Sequence, residues 1–267
     1  MSGNKGATLL VQILAIGDVV GRPGRHFLRE RLAAIAARES IDLVVANGEN
    51  TAGGLGITKS IATELHQCGV HVITTGDHVW RRRDIAEALT EDPRLLRPHN
   101  FPAGAAGAGM VTVTTAKGVP VRVINLLGRV FLEPLDCPFE CVDRILERTP
   151  GPPVTVVDFH AEATSEKSAM GWFLDGRVSA VLGTHTHVQT ADERLLEKGT
   201  AYITDLGMTG AIRSVLGRRV EQVIEKLRMR TYIPMEVANG AVQMCGAIVT
   251  ADSQTGRAVG IRRIAET

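Results

Sequence analysis

The sequence predicts an α/β fold, because short runs of β-branched and aliphatic residues alternate along the chain with stretches of helical character. A second observation agrees, since several of these runs end directly in polar residues, as strands that carry a site do in open α/β sheets. The length of 267 residues and the hydrophobic fraction of 44% are typical of a globular protein. We therefore expect one domain over residues 1–267, with residues 1–10 as a disordered N-terminal segment.

Eight apolar runs have the length and the β-branched content of buried strands, beginning with VQILAI and ending with VQMCGAIV. The predicted strands span residues 11–16, 43–46, 70–75, 121–126, 154–157, 180–182, 201–204 and 242–249.

Six stretches between or after these runs predict helices, at residues 25–38, 58–67, 84–89, 139–147, 166–174 and 220–228. Segments rich in proline and glycine at residues 98–109 and 149–153 are short and flanked by predicted strands. They are interpreted as loops rather than as linkers between domains.

The composition argues against several classes of partner. A net charge of +1 and an aromatic content of 4% do not favour a broad surface for nucleic acid or anionic membrane. The chain has no apolar run long enough to span a membrane, and its first residues do not resemble a signal peptide. Its four cysteines form no C-x-x-C pair, so we expect reduced thiols, a cytoplasmic location and no membrane partner.

Candidate metal ligands follow five predicted strands. Because the carboxyl ends of such strands meet at one crevice, ligands that are distant in sequence can become neighbours there. His185 and His187 are two residues apart, and on an extended segment they would face the same way. The candidates are Asp18, Glu49, Asn50, Asp77, His78, His160, His185 and His187.

Imidazole together with carboxylate and amide oxygen suits Mn, Fe, Zn, Ni or Co better than calcium. The set exceeds the four ligands of a closed zinc site and agrees with a two-metal hydrolytic centre. Each residue also has a simpler interpretation, because Asp18 alone could cap a turn and His160 alone could be a structural histidine. Their joint occurrence after successive strands favours the metal site.

The motifs GDVVGRPG, NGENTAGGLGITK, ITTGDHVW, VDFHAEATSEK, GTHTHVQTAD and TDLGMTG resemble the calcineurin-like metallophosphoesterase superfamily, and within it the YmdB-like branch. Further matching blocks are NLLGRVF and PLDCPF, and together the blocks cover nearly the whole chain in family order. The resemblance implies a four-layer α-β-β-α sandwich of two mixed sheets. It also implies a metal-dependent phosphodiesterase whose substrates include cyclic nucleotides, 2′,3′-cyclic ones among them. Hydrolysis of 3′,5′-cyclic nucleotides or of related phosphodiesters is left open.

The resemblance also implies roles for individual residues. Asp18 and His187 would bind one metal, and Glu49 would bridge to a second metal bound by the three residues Asp77, His160 and His185. Asn50 matches a metal-site asparagine, and His78 matches the histidine next to the reacting phosphate. Two divalent ions are expected, Fe or Mn first, with Zn, Ni, Co or Mg as alternatives.

The chain departs from the family pattern at Asp77, where the pattern has asparagine. With Asp18 and Glu49, this carboxylate brings the ligand charge to −3, which predicts weaker Lewis acidity or a changed metal preference. A second departure is the run of arginines after Trp80. A solvated helix start is its simple interpretation, and substrate binding by Arg81 and Arg82 is the functional one.

The mechanism that follows uses two metals to lower the pKa of a bridging water, whose hydroxide attacks phosphorus while His78 protonates the leaving oxygen. An amidohydrolase is an alternative, but its His-x-His pair comes at the first strand, whereas here it comes late. The other alternative is a regulatory or RNA-associated protein that keeps the fold with little turnover. We expect a small phosphodiester substrate, RNA only under that alternative, and a homo-oligomer.

Overall fold

The structure is a computed structural model that describes residues 9–267. The described residues contain six α-helices: α1 Gly21–Arg38, α2 Lys59–Gln67, α3 Ile85–Glu91, α4 Pro138–Arg148, α5 Thr164–Phe173 and α6 Val220–Met229. They also contain thirteen strands: β1 Leu10–Ile16, β2 Asp18–Val19, β3 Leu43–Asn47, β4 Val72–Thr74, β5 Met110–Thr114, β6 Pro120–Leu127, β7 Thr155–His160, β8 Ala180–Thr184, β9 Arg194–Leu195, β10 Ala201–Ile203, β11 Met208–Ala211, β12 Val242–Asp252 and β13 Ala258–Glu266.

The strands form two mixed sheets. The first sheet has the order β2-β11-β12-β1-β3-β4, with β13 paired to β12, and the second has the order β5-β6-β7-β8-β10-β9. In the first sheet β1 is parallel to β3 and antiparallel to β12. In the second sheet β6, β7 and β8 are parallel to one another. Their carboxyl ends therefore lie at one edge.

Side-chain alternation along β1 shows how the layers are built. Ile13 faces a core shared with Val123 and Val156 of the second sheet. Leu14, its neighbour, faces a core formed with α1 and α2. Successive residues of a strand point to opposite faces, so the first sheet is covered on one side by helices and on the other by the second sheet.

The outer face of the second sheet packs against α4 and α5, as Phe159 does with Val142 and Met170. The arrangement is thus helix, sheet, sheet, helix. The predicted α/β class and four-layer sandwich are confirmed.

Every predicted helix and strand is present, with bounds that shift by a few residues. Sequence analysis missed β2, β5, β9, β11 and β13. Residues 1–8 of the N-terminal segment expected to be disordered lie outside the described residues, and Leu10 already begins β1. In the described part of the chain, no helix has the length and apolar character needed to cross a bilayer.

Candidate metal centre

The candidate ligands come from both sheets and meet at the edge where the parallel strands end. Asp18 begins β2, and Glu49 and Asp77 follow β3 and β4, so all three carboxylates come from the first sheet. His160 ends β7 and His185 follows β8, so imidazoles come from the second sheet. The packing of the two sheets is therefore what assembles the centre.

Four of these side chains form a compact quartet. Ligand atoms of Glu49, Asp77, His160 and His185 all lie within 4.8 Å of one another. Nε2 of His160 lies 3.3 Å from Oδ1 of Asp77 and 3.3 Å from Oε2 of Glu49. Nδ1 of His185 lies 3.4 Å from the same Asp77 oxygen. Carboxylate oxygens and imidazole nitrogens thus converge on one point, as they do around a divalent cation.

A second group of donors adjoins the quartet. Nε2 of His187 lies 3.7 Å from Oδ1 of Asp18 and 3.2 Å from Nδ2 of Asn50. Asp18 is fully buried, and its Oδ1 has no hydrogen-bond partner among the described residues. A buried carboxylate oxygen without a donor is costly, so this oxygen fits a cation as its missing partner.

Glu49 lies between the two groups. Its Oε2 faces His160 and accepts a hydrogen bond of 3.2 Å from the backbone N–H of His78. Its Oε1 accepts a hydrogen bond of 2.9 Å from Nδ2 of Asn50. One oxygen therefore faces each group, which is the geometry that a bridging carboxylate requires.

The electrostatics of the centre favour a cation. Burial raises the pKa of Asp18 above its usual value, although His187 and His160 act against that shift. Burial disfavours charge on His160 as well, yet Glu49, Asp77 and Asp18 raise its pKa well above the ordinary value. The pKa of Glu49 is lowered despite burial, because of the charge and hydrogen bond of His160. Three carboxylates thus draw positive charge into a buried site.

Each of the three histidines directs one nitrogen to the centre, and other residues hold its second nitrogen. Nδ1 of His160 lies 2.9 Å from Oγ1 of Thr184, which donates a hydrogen bond of 2.7 Å to Asp158. Nε2 of His185 lies 2.9 Å from a Glu162 oxygen. Such partners fix the tautomer and the ring orientation of a metal-binding histidine.

The remaining histidine is held in the same way, since Nδ1 of His187 lies 3.2 Å from the carbonyl oxygen of Leu216. Sequence analysis missed Asp158, Glu162 and Thr184. Asp158 and Glu162 stand two residues before and after His160, and Thr184 directly precedes His185. Because side chains alternate between the two faces of a strand, Asp158 lies on the same face as His160. This spacing is the sequence pattern that could have identified Asp158.

The His-x-His segment differs from the expectation that it is extended. His185 has a φ of 102° and His187 a φ of 65°, so both have left-handed backbone conformations, which are uncommon for non-glycine residues. Thr186 between them donates through its backbone N–H and its hydroxyl to Asp205, at 3.0 and 2.7 Å. Asp205 is paired at 2.7 Å with Lys167, and both are buried. This ion pair holds the turn that presents both histidines.

Gly76 lies directly behind the quartet. A Cβ at this position would lie 2.1 Å from Cδ2 of His160 and 2.3 Å from Oε2 of Glu49. Only glycine allows the backbone before Asp77 to approach these side chains so closely. The close backbone, the Asp18 oxygen without a hydrogen-bond donor and the donor set together fit a bound divalent cation.

His78 lies at the rim of the centre. Its Nδ1 lies 2.9 Å from Oδ1 of Asn50, and its Nε2 lies 3.5 Å from Oδ2 of Asp77. Burial disfavours the charged ring, but Glu49 and Asp77 raise the pKa of His78 above its ordinary value. A protonated imidazole at the rim has the chemistry of a proton donor.

A cleft of about 280 Å³ opens above the centre and is lined by Glu49, Asn50, His78, His185 and His187. Sequence analysis missed the cation of this cleft, Arg218, which lines it and comes from the C-terminal part of the chain. Its guanidinium donates to the carbonyl oxygens of Gly53, Gly54 and Met235. A Cβ at Gly54, where φ is +83°, would lie 2.5 Å from this guanidinium.

The arginines after Trp80 lie beside the cleft rather than in it. Arg82 donates to the carbonyl oxygens of Ala52 and Leu55, so it holds the glycine-rich loop. Arg81 is exposed, and neither arginine lines the cleft.

Comparison with known proteins agrees with this geometry. A family model described as YmdB-like protein matches residues 14–264. The 2′,3′-cyclic-nucleotide 2′-phosphodiesterase of Bacillus subtilis (strain 168) is 46% identical over 255 residues, which cover 95% of this chain and 96% of that protein. The crystal structure of a hypothetical protein from Thermus thermophilus is similar with a TM-score of 0.90 and 38% identity, covering 96% of this chain and 99% of the other. That of a novel phosphatase from Mycoplasma pneumoniae has a TM-score of 0.91 and 33% identity, covering 97% and 94%.

Proposed function

Because the chain belongs to the YmdB-like family, we propose that it is a two-metal phosphodiesterase that opens 2′,3′-cyclic nucleotides by breaking the bond between phosphorus and the 2′ oxygen. The position of Glu49 between two donor groups is the observation that carries this proposal. One group contains Asp77, His160 and His185, and the other contains Asp18, Asn50 and His187. When bound, the two cations would supply an activated water and neutralise the phosphate oxygens.

The residues of the chain orient the substrate and move the proton. A water that loses its proton to solvent adds to phosphorus, the bond to the 2′ oxygen breaks to leave the 3′-phosphate, and that oxygen receives a proton from His78, which solvent then reprotonates. Asn50 holds the ring of His78 through the contact between Oδ1 and Nδ1, and this ring lines the cleft. Glu49 and Asp77 raise the pKa of His78 above its ordinary value, which favours the protonated ring that a proton donor requires.

The size and charge of the cleft support a small anionic substrate. Its volume of about 280 Å³ is close to the lower end of ligand pockets, about 300 Å³. Arg218 places one positive charge at its wall, and Leu216 and Val20 add apolar surface. A nucleotide with a single nucleoside is small and anionic, so it matches both the volume and the charge of the cleft.

A turnover screen with metal analysis tests the proposal. The purified protein is loaded with metal, its metal content is measured, and hydrolysis of 2′,3′-cyclic, 3′,5′-cyclic and model phosphodiesters is followed. We expect metal-dependent opening of the 2′,3′-cyclic nucleotide, abolished by a chelator and restored by metal. Absence of metal-dependent activity on every substrate would favour the regulatory or RNA-associated alternative. Activity on the 3′,5′-cyclic nucleotide would extend the substrate class.

The proposal extends to the metals, the cellular location and the oligomeric state. Fe and Mn are the proposed metals because of the mixed carboxylate and imidazole donors, and metal analysis of protein isolated without added metal tests this. All four cysteines are free thiols, which supports a cytoplasmic location. A homo-oligomer is also proposed, and mass measurement in solution tests it.

Arg81 and Arg82 are kept as proposed substrate contacts for the part of a substrate that extends beyond the cleft. Arg81 is exposed next to the glycine-rich loop that Arg82 and Arg218 hold. Kinetics of Arg81→Ala and Arg82→Ala at two salt concentrations test these contacts. An unchanged Michaelis constant and salt dependence in both variants would refute them.

A further inference from the structure

A second cavity, of about 420 Å³, lies between α4 and the loop that begins at Arg97. None of its lining residues lines the catalytic cleft. Its volume is within the range of small-molecule sites, roughly 300–1,000 Å³. The cavity is thus separate from the proposed metal centre and large enough for a small ligand.

The buried wall of this cavity carries a positive charge without a counter-ion. Arg97 is 5% exposed and donates only to backbone carbonyl oxygens, including those of Ala106 at 3.1 Å and Pro98 at 2.8 Å. It has no carboxylate within ion-pairing distance in residues 9–267. Burial lowers the pKa of Arg97. A buried charge without an opposite charge is unfavourable, and an anion would relieve the cost.

Helix α4 brings two more arginines to the same cavity. Arg144 and Arg148 are one helical turn apart, so their like charges repel. Neither forms an ion pair within the described part of the chain. The helix dipole favours Arg148 in the last turn, but it does not account for Arg97, which lies on a different segment. Among residues 9–267, Asp136 is the only acid that lines the cavity, so three arginines and one aspartate leave two positive charges.

The rest of the lining combines a polar ring with apolar surface. Nδ1 of His99 is buried and has no hydrogen-bond partner among the described residues. Burial, Arg97 and Arg144 lower the pKa of this ring, so it is neutral near neutral pH. Phe101, Met110 and Ile145 supply the apolar surface. The cavity therefore suits a ligand that has an anionic end and a flat apolar body.

We propose that this cavity binds a mononucleotide, with its phosphate between Arg97, Arg144 and Arg148 and its base beside Phe101 and Met110. Arg144 and Arg148 suit this role because a planar guanidinium donates two parallel hydrogen bonds to phosphate oxygens. Arg97 contributes its charge, since its Nε, Nη1 and Nη2 already donate to backbone carbonyl oxygens. The proposal does not depend on the proposed reaction, since the two sites share no residue.

Equilibrium dialysis of the metal-loaded full chain with adenosine monophosphate tests this site. The test variant is Arg144→Gln/Arg148→Gln, because both side chains are exposed at the mouth whereas Arg97 also holds its own loop. We expect the variant to bind one nucleotide fewer per chain than the wild type, or to bind it at least about tenfold more weakly, as loss of hydrogen bonds to a charged group predicts. Its thermal unfolding and turnover should stay unchanged.

Two further measurements distinguish a mononucleotide site from a general effect of surface charge and from a site for phosphate alone. Arg228→Gln/Arg230→Gln removes two exposed arginines at the C-terminal end of α6 and is the matched charge control, so it should bind nucleotide as the wild type does. Equal binding by wild type and the double variant, or equal loss in the control, would overturn the site. Inorganic phosphate is tested in the same way. If it binds the cavity as tightly as the nucleotide, the assignment to a mononucleotide is wrong.

Discussion

Replacement of Lys167 by methionine tests how the His-x-His turn is held. Nζ of Lys167 lies 2.7 Å from Oδ2 of Asp205, and the two side chains are 1% and 0% exposed. At an effective dielectric constant of about 20, the attraction over this distance is about 6 kcal/mol. Desolvation of the two charges offsets part of it, and loss of one partner of a buried pair typically costs about 3–5 kcal/mol.

Hydrogen bonds that remain in Lys167→Met set the expected value within this range. Asp205 still accepts from Thr186 and from the backbone N–H of Gly207, at 2.8 Å. We therefore expect a loss of about 3–4 kcal/mol in the free energy of unfolding. For a chain of this size that is a decrease of roughly 6–16 °C in Tm. The retained Asp205 carboxylate still accepts hydrogen bonds from Thr186, so the His-x-His turn should keep its conformation. Relative to the wild type, we therefore expect a smaller loss of bound metal than of the free energy of unfolding.

Urea unfolding of the chelated protein, followed by circular dichroism, measures the loss without a contribution from bound metal. Asp205→Asn and the double variant complete a thermodynamic cycle, in which we expect a coupling of about 2 kcal/mol or more. Lys226→Met removes an exposed lysine and should change stability by less than about 0.5 kcal/mol. A change below about 1 kcal/mol in Lys167→Met, or additive single effects, would refute the reasoning.

Four further predictions concern the centre and its surroundings. His78→Ala should lower kcat by roughly 10²- to 10⁴-fold with metal content unchanged, and loss of the metals in metal analysis would contradict its role. Asp77→Asn removes one negative ligand charge, so metal preference or rate should change; identical metal content, preference and turnover would contradict this. Chelation should lower Tm by roughly 5–11 °C if metal is present at about 100 times its Kd, and an unchanged melting curve would argue against bound metal. Burial would raise the pKa of Asp192, but hydrogen bonds from Thr190 and Thr204 lower it. Its ionised form therefore stabilises the fold above the ordinary carboxyl pKa, and this stability is lost as the pH falls through the lowered value. The urea midpoints of the wild type and of Asp192→Asn should therefore converge as the pH falls. A difference between the two midpoints that stays constant down to pH ~2.5 would disprove the stabilising role of ionised Asp192.

Local runs of apolar residues predicted most of the longer strands. β1, β3 and β8 consist mainly of apolar residues, so their existence and the α/β class could be predicted, and the motifs after them contained the candidate ligands. β13 was missed because the consecutive charged residues Arg262 and Arg263, both exposed, interrupt the apolar pattern on its two faces. Strands of two residues, such as β2 and β9, are too short to produce a pattern.

No local sequence pattern predicts contacts between side chains that are far apart along the chain. Arg218 reaches Gly53 across 165 positions, and Lys167 pairs with Asp205 across 38. A lysine on a helix is normally exposed, and only the packing of α5 against the second sheet buries this one. The close approach of Gly76 to His160 and Glu49 likewise depends on how the two sheets pack, which no single motif determines.

The origin of the candidate ligands in two different sheets has a consequence for the order of folding. Asp18, Glu49 and Asp77 belong to one sheet, and His160 and His185 to the other, so neither sheet alone offers a complete site. A cation cannot gain its full set of ligands until the two sheets have docked, and it therefore cannot act as a nucleus for their formation. Bound metal should then slow unfolding while leaving the folding rate nearly unchanged. Bound metal would join the two sheets only after they have docked, and it would thereby prolong the lifetime of the native state.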